Sequence, residues 1–305
     1  MPGSLLIVGG TGFIGRSLAL SAVKNSYKVV VLSLHSPVIK KRIKNIEYIQ
    51  ADITNFKQLK EKIDGKSFDY VVNLSGYINH CNFSDGGKKV IDVHFGGVQN
   101  ILQLVNLTSL KRFVQIGSSD EYGNLSAPQT EDMRESPISS YSLGKLASTN
   151  LLQMLHITEG IPVVILRLFL VYGPEQDFDR FIPQIIKGCL SSSHFPASTG
   201  KQLRDFCYVD DVTNGILMAL KNDKVNGEII NLASGKSISI REVVELVQKK
   251  IGLGRANFGK IPFRAGENMS LYADISKAHK VLKWRPVISI EEGIGRTIDY
   301  YKETK

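Results

Sequence analysis

Two side chains in this sequence could share one proton. Tyr141 and Lys145 lie four residues apart within Ser139 to Glu159, a stretch that predicts one long helix, so both would project from the same face. A phenol is a poor base at its ordinary pKa of about 10. A neighbouring ammonium favours the phenolate and draws that value toward working pH, which makes the pair a candidate general acid/base couple. The same spacing also occurs between unrelated surface residues. Its meaning depends on what the chain builds around that helix.

The N-terminal segment builds a ligand turn. Gly9-Gly10-Thr11-Gly12-Phe13-Ile14-Gly15 stands between a continuous apolar run, Leu5 to Val8, and a helical stretch, Gly12 to Lys24. Glycines at 9, 12 and 15 permit a tight turn, a close approach of backbone to a pyrophosphate, and close packing of helix on strand. The helix N-terminus then offers unpaired N–H groups and the positive end of its dipole. Strand, glycine turn and helix together specify a dinucleotide site, with Gly9, Thr11, Gly12, Phe13, Ile14 and Gly15 as the expected contacts and NAD(P) as the expected cofactor. A positive nicotinamide ring beside Tyr141 would add to the effect of Lys145, which could also hold the cofactor ribose.

The elements that must position these groups alternate. Strands are predicted at Lys28–Leu34, Ile46–Gln50, Phe68–Leu74, Arg112–Ile116 and Val163–Leu168, and helices at Asn55–Ile63, Lys88–Val105 and Ser139–Glu159. Such alternation specifies an α/β fold, a doubly wound parallel (Rossmann) sheet covered by helices. After Pro174 the rhythm changes to helices near Phe181–Cys189, Val212–Leu220, Ile240–Ile251 and Glu291–Tyr301. The expected division is a dinucleotide-binding domain over 1–174 and a smaller mixed substrate-binding region over 175–305, from which segments could return to the main sheet.

Composition narrows the options. The chain has 305 residues, 43% hydrophobic and 22% charged, which excludes a disordered chain and a disulfide-stapled miniprotein. No apolar run approaches the ~20 residues that cross a bilayer. Met1-Pro2-Gly3-Ser4 carries no basic n-region, so neither membrane nor signal peptide is expected and the location is read as cytoplasmic. Cys81, Cys189 and Cys207 have no CxxC spacing, so no metal site is expected. The net charge of +9 is densest at Lys40-Lys41-Arg42 with Lys44. No nucleic-acid reader motif accompanies it, and an anionic small molecule explains it as well.

The glycine spacing, Gly-x-x-Gly-x-x-Gly, resembles that of the extended short-chain dehydrogenases/reductases, the NAD-dependent epimerase/dehydratase family acting on nucleotide sugars, and the likeness runs from end to end. The resemblance implies that Asp52 and Ile53 touch the adenine, and that Leu74, Ser75 and Gly76 of Asn73-Leu74-Ser75-Gly76 line the cofactor. Ser33 takes the place where the family often has a carboxylate that binds the ribose. That absence, with Lys40, Lys41 and Arg42 downstream, tilts the cofactor toward NADP(H), because a carboxylate would repel a 2′-phosphate. Tyr141 and Lys145 match the family's Tyr-x-x-x-Lys couple, and Ser118 matches the Ser/Thr whose hydroxyl binds the substrate oxygen.

The resemblance also bears on the reaction. Ser118-Ser119-Asp120 stands where dTDP-glucose 4,6-dehydratases have Thr-Asp-Glu. Ser118 to Gly123 looks closer to the Ser-Ser-Glu-Glu-Tyr-Gly of GDP-4-keto-6-deoxymannose reductases, with Ser119 and Asp120 on the substrate side. Asp120 and Glu121 could also be no more than exposed loop carboxylates. The implied activity is hydride transfer at a sugar carbon, C4, as a 4-ketoreductase or 4-epimerase. Alternatives are a 4,6-dehydratase and, from another class, a non-catalytic NAD(P)-binding sensor or scaffold.

At the sugar end, Arg167 to Pro174 resembles Arg-x-x-Asn-x-Tyr-Gly-Pro with Leu170 in place of the Asn. Arg204 to Asp211 resembles Arg-Asp-(Phe/Tyr)-x-x-Val-x-Asp, and Arg264-Ala265-Gly266-Glu267 resembles Arg-x-Gly-Asp. Arg204 and Arg264 would hold the diphosphate, for which planar guanidinium forks suit, and Glu267 would bind nucleoside hydroxyls. His80 follows the fourth strand, where substrate loops lie, and is either a substrate contact or a solvent-facing structural histidine. Asp210-Asp211 reads as a helix start with a capping carboxylate rather than a metal pair. The two long helices resemble those of a two-fold four-helix interface, implying a homodimer.

Overall fold

The computed structural model describes residues 3–192, 194–263 and 267–304. Its strands β1 (Ser4–Val8), β2 (Lys28–Ser33), β3 (Glu47–Gln50), β4 (Tyr70–Asn73), β5 (Arg112–Ser118) and β6 (Val163–Leu168) lie in one parallel sheet. The order is β3-β2-β1-β4-β5-β6, followed by Ile229–Leu232 as a seventh strand. The continuous apolar runs have a simple cause. Leu5 and Ile7 of β1 pack into the core on one face, and Leu6 and Val8 into the core on the other. A strand buried on both faces has no polar positions to alternate.

The helices are α1 (Phe13–Lys24), α2 (Phe56–Ile63), α3 (Gly87–Ile91), α4 (Gly97–Leu104), α5 (Ser140–Glu159), α6 (Phe181–Leu190), α7 (Val209–Lys221), α8 (Ile240–Ile251) and α9 (Ile290–Glu303). Helices α1 and α7 cover one face of the sheet, and α2, α4 and α5 the other. Strand order reverses between β1 and β4, which opens a crevice beyond the carboxyl ends of the strands. The chain after residue 174 forms its own core from α6, α8 and α9, through Ile182, Ile186, Val243, Val247, Ile294 and Ile298. It also returns to the sheet, because Ile229–Leu232 pairs with β6.

Two expectations are corrected. Asp211 does not cap α7, which begins earlier, at Val209, without a side-chain cap. Its buried carboxylate instead accepts the N–H groups of Val287 and Ile288 at 3.1 and 3.0 Å, tying the C-terminal segment to α7. The helix expected over Lys88–Val105 is interrupted by a π-helical turn, Asp92–Gly96. Such a turn places one extra residue in the helix.

The turn carries His94, which is 3% exposed. Its Nε2 donates to the Tyr77 carbonyl at 3.0 Å. Gly76, at φ +115°, passes so close that a Cβ there would fall 2.1 Å from the imidazole. Burial pushes the His94 pKa down to about 3, the Lys145 ammonium adds to that, and the Tyr77 carbonyl opposes it.

A histidine held neutral in this way penalises the fold in acid. Below its unfolded pKa of about 6.5 the unfolded chain takes up a proton that the folded chain refuses. Stability should therefore fall as pH drops from 6.5 toward 3, by about 2 kcal/mol from this group alone at pH 5. Urea unfolding at pH 7 and pH 5 measures this, and His94→Gln should lose less stability over that interval than the parent. An identical acid loss in both proteins would refute the assignment.

Candidate active site

The glycine turn forms at the mouth of the crevice. Gly9 adopts φ +80°, and a Cβ there would lie 2.9 Å from the backbone of Leu74. At Gly15 a Cβ would lie 2.3 Å from the Gly9 carbonyl oxygen, so α1 can sit this close to the turn only without a side chain. Gly12 precedes α1, whose first turn carries no acidic residue to repel an anion. Phe13 and Ile14 are half-buried beside the turn. Ser33, at the end of β2, is buried, and its hydroxyl accepts the Thr11 N–H at 3.2 Å. It thereby braces the turn from beneath.

Farther along, Asp52 accepts the Thr54 N–H and hydroxyl at 2.9 and 2.7 Å. Ile53 is buried at the close approach of Gly97. Leu74 and Ser75 are half-buried and Gly76 is exposed beyond β4. A cleft of about 280 Å³ opens at the end of β2, lined in part by Thr11, Arg16, His35, Ser36 and Lys41. Among the described residues, Arg16 Nη1 is buried without a hydrogen-bond partner. A cradle of close-packed glycines, a helix N-terminus without acid and an orphaned guanidinium nitrogen fit a pyrophosphate-linked dinucleotide.

The helix bearing Tyr141 and Lys145 starts with a capping box, in which Ser139 and Ser142 exchange hydrogen bonds. Tyr141 and Lys145 are each 5% exposed. Lys145 Nζ donates to the Ile116 carbonyl at 2.8 Å and lies 6.0 Å from the Tyr141 ring centroid. Burial lowers the Lys145 pKa to about 8, against the pull of Glu121. The expected depression of the phenol is not present in the free chain. Burial raises Tyr141 well above its ordinary value and Asp120 adds to that, while a hydrogen bond with Ser118 opposes it. The His94 and His80 rings meet the Tyr141 ring edge-on, with centroids 4.9 and 5.6 Å away.

Behind this cluster lies a buried ion pair. Glu121 is fully buried, which overturns the exposed-carboxylate alternative for this residue. One of its oxygens accepts the Ser118 N–H at 2.8 Å. The other accepts Thr149 of α5 at 2.9 Å and Arg167 of β6 at 3.0 Å. Arg167 also pairs with Glu135. One carboxylate thus joins the Ser118 loop, the Tyr141 helix and the neighbouring strand.

The substrate-side candidates gather on the open side. Asp120 lies 3.6 Å from His80 Nε2, and its carboxyl is raised by burial, with His80 and Arg204 opposing. His80 Nδ1 lies 3.4 Å from the Ser139 hydroxyl, at the start of the Tyr141 helix. Arg204 pairs with Glu267 at 2.6 Å. Ser119 is 4% exposed. Arg264 lies outside the described residues. Sequence reasoning missed His94, Arg16 and the fixing role of Glu121. Only the glycine at 76 hinted at a close approach, and nothing in the sequence named its partner.

Comparison with known proteins agrees with this layout. Residues 5–233 match the model of the NAD dependent epimerase/dehydratase family. A UDP-glucuronate 4-epimerase of Thermodesulfobacterium geofontis is 32% identical over 99% of this chain and 97% of the relative. An epimerase structure from Methanothermobacter thermautotrophicus superposes with a TM-score of 0.91 at 26% identity, over 99% of this chain and 93% of that one. A UDP-glucuronic acid 4-epimerase from Bacillus cereus, solved with UDP-glucuronic acid and NAD, superposes with a TM-score of 0.83 at 29% identity, over 99% and 100% of the two chains. With more than half the chain matched and the glycine turn in place before α1, this protein belongs to the NAD dependent epimerase/dehydratase family.

Proposed function

We propose that this protein is an NAD(P)-dependent enzyme that transfers hydride at C4 of a nucleotide-diphospho-sugar, as a 4-ketoreductase or a 4-epimerase. The observation that carries the reading is Tyr141, buried beside Lys145 and Ser118 at the carboxyl ends of the strands. The UDP-sugar 4-epimerases among its relatives support the substrate class.

When bound, the nicotinamide supplies the hydride acceptor or donor and, oxidised, a positive charge beside the phenol. The chain's own groups do the rest. Gly9, Thr11, Gly12, Phe13, Ile14 and Gly15 hold the pyrophosphate end, with Asp52, Ile53, Leu74, Ser75 and Gly76 along the cofactor and Ser33 bracing the turn. Tyr141 exchanges a proton with the sugar O4, and Ser118 holds that oxygen in place. The raised phenol suits a proton donor, the role that reduction of a ketone needs. Lys145 orients the cofactor ribose. Arg204 binds the diphosphate, a role that the Arg-x-Gly-Asp resemblance alone extends to Arg264, and Glu267 holds the Arg204 fork and contacts nucleoside hydroxyls. His80, Ser119 and Asp120 border the sugar. Dehydration needs a second acid/base beside Asp120, and Ser119, buried and without a carboxyl, weighs against it.

The cofactor reading favours NADP(H), since Ser33 puts no carboxylate at the end of β2. Residues 1–174 bind the cofactor and 175–305 mainly the sugar nucleotide, with Ile229–Leu232 crossing back. No helix among the described residues is long and apolar enough to span a membrane, and we read the location as cytoplasmic. A homodimer through α4 and α5 is supported by an apolar groove that includes Leu102, Leu151 and Leu155, and by the exposed Leu143, Met154 and Ile157.

Three outcomes are expected. Incubation with UDP-, GDP-, CDP- and dTDP-sugars, with and without NADPH, should show turnover read by proton NMR at C4. Tyr141→Phe should lower kcat by about 10²–10⁴-fold while cofactor affinity stays within about twofold. Undiminished turnover in that variant would falsify the mechanism. Light scattering should give twice the chain mass, and Ile157→Arg should give a folded monomer. A parent protein that runs as a monomer would remove the dimer.

A further inference from the structure

The basic run at 40–44 is not one unit in the structure. Lys41 lines the cleft at the end of β2, and with Arg16 it converges on one carboxylate oxygen of Glu175, at 3.7 and 2.9 Å. Arg42 lies over the Tyr48 ring, 5.7 Å from its centroid. Lys40 and Lys44 are exposed, do not line the cleft and have no ion-pair partner among the described residues. The residues just ahead of them are apolar and equally open. Within the six residues from Leu34 to Ile39, Leu34 is 55% exposed, Val38 65% and Ile39 87%. One exposed apolar side chain is ordinary on a protein surface, whereas three together beside unpaired cations form a patch. Val38 borders the cleft, but Leu34 and Ile39 do not.

The loop is tied in this form at both ends. The Ser36 hydroxyl donates to Gln50 of β3 at 3.1 Å, and the Ile43 N–H donates to the Tyr48 hydroxyl at 3.0 Å. Between these ties a single 3₁₀ turn, Ile39–Lys41, is closed by the Lys41 and Arg42 N–H groups on the Val38 and Ile39 carbonyls, at 2.8 and 3.1 Å. Ile39 opens that turn and is held outward by it. No acidic residue occurs between Leu34 and Ile46, and the next one, Glu47, pairs with Lys66 at 2.8 Å.

We propose that this loop is a docking surface for an anionic lipid bilayer, with Ile39, Leu34 and Val38 entering the boundary between headgroups and acyl chains and Lys40 and Lys44 meeting the lipid anions. A bilayer buries a protruding apolar tip at that boundary and keeps the ammonium groups in the headgroup layer, where the negative surface potential attracts them. An acidic protein would meet the cations but would need a recess shaped to so exposed a tip, and fluid lipid accepts it without one. The contact is peripheral, since no helix among the described residues is long and apolar enough to span a membrane. Because the loop follows β2 at the carboxyl ends of the strands, docking turns the cofactor side of the crevice toward the lipid.

Co-sedimentation of the full chain with vesicles of phosphatidylcholine containing about 30% phosphatidylserine tests this. Neither cofactor nor sugar is present, so the result stands apart from the reading of the active site. The parent should bind these vesicles about tenfold more tightly than pure phosphatidylcholine, and more weakly as salt rises. Lys44→Glu should weaken binding several-fold and Ile39→Asp about tenfold, while Ile39→Leu should bind as the parent does. All three substitutions are at surface positions, and circular dichroism checks that the variants fold. Ile39→Trp adds a second tryptophan to a chain whose own, Trp284, is buried, and its emission should shift to the blue on the anionic vesicles. A parent that does not bind, equal binding to both kinds of vesicle, undiminished binding by Ile39→Asp, or an unshifted emission would each overturn the proposal. Binding to polyglutamate without binding to vesicles would overturn it too, and would assign the loop to an acidic protein.

Discussion

The arrangement depends on one buried carboxylate. Glu121 sits at the end of β5 with no exposure and is neutralised by Arg167 on the next strand, itself fully buried. Removing either partner of such a pair leaves an uncompensated charge in the interior, a cost of about 3–5 kcal/mol. The charge is retained where an apolar pair could pack, and its hydrogen bonds show what it achieves. They hold the backbone of Ser118 and the side chain of Thr149, one from the loop over the strand ends and one from the helix that carries Tyr141 and Lys145. Loop and helix are thereby set in register before any ligand arrives, which is the kind of support a site needs if its groups are to meet within tenths of an ångström.

Around that fixed frame, burial is the dominant electrostatic influence. It lowers Lys145, raises Tyr141 and keeps His94 neutral. These shifts are coherent. A neutral imidazole edge-on to the phenol adds no charge beside it. The sugar side is charged instead. There Asp120 pairs with His80, and Arg204 with Glu267.

Much of this was legible in the residues. The runs at Leu5–Val8 and Val163–Leu168 read as buried strands because a sheet covered on both faces offers no polar side to alternate with. The turn at Gly9 to Gly15 read as a dinucleotide site because backbone that approaches a pyrophosphate tolerates no Cβ. The exceptions share a character. The alternative of an exposed loop carboxylate stayed open for Glu121 because local sequence carries no sign of Arg167, forty-six positions later, lying beside it. Asp211 looked like a cap because its true partners are the N–H groups of Val287 and Ile288.

The sequence by itself determined the fold class, the nucleotide turn and the Tyr141–Lys145 couple, because each is written in short-range spacing that backbone geometry converts directly into a turn, a strand or a shared helix face. Only the tertiary structure decided which charges are buried and with whom. The Glu121–Arg167 pair, the neutral His94 against Gly76 and the convergence of Arg16, Lys41 and Glu175 all join segments distant in the chain. Desolvation and Coulomb interaction depend on distance through space, and no local pattern encodes that distance.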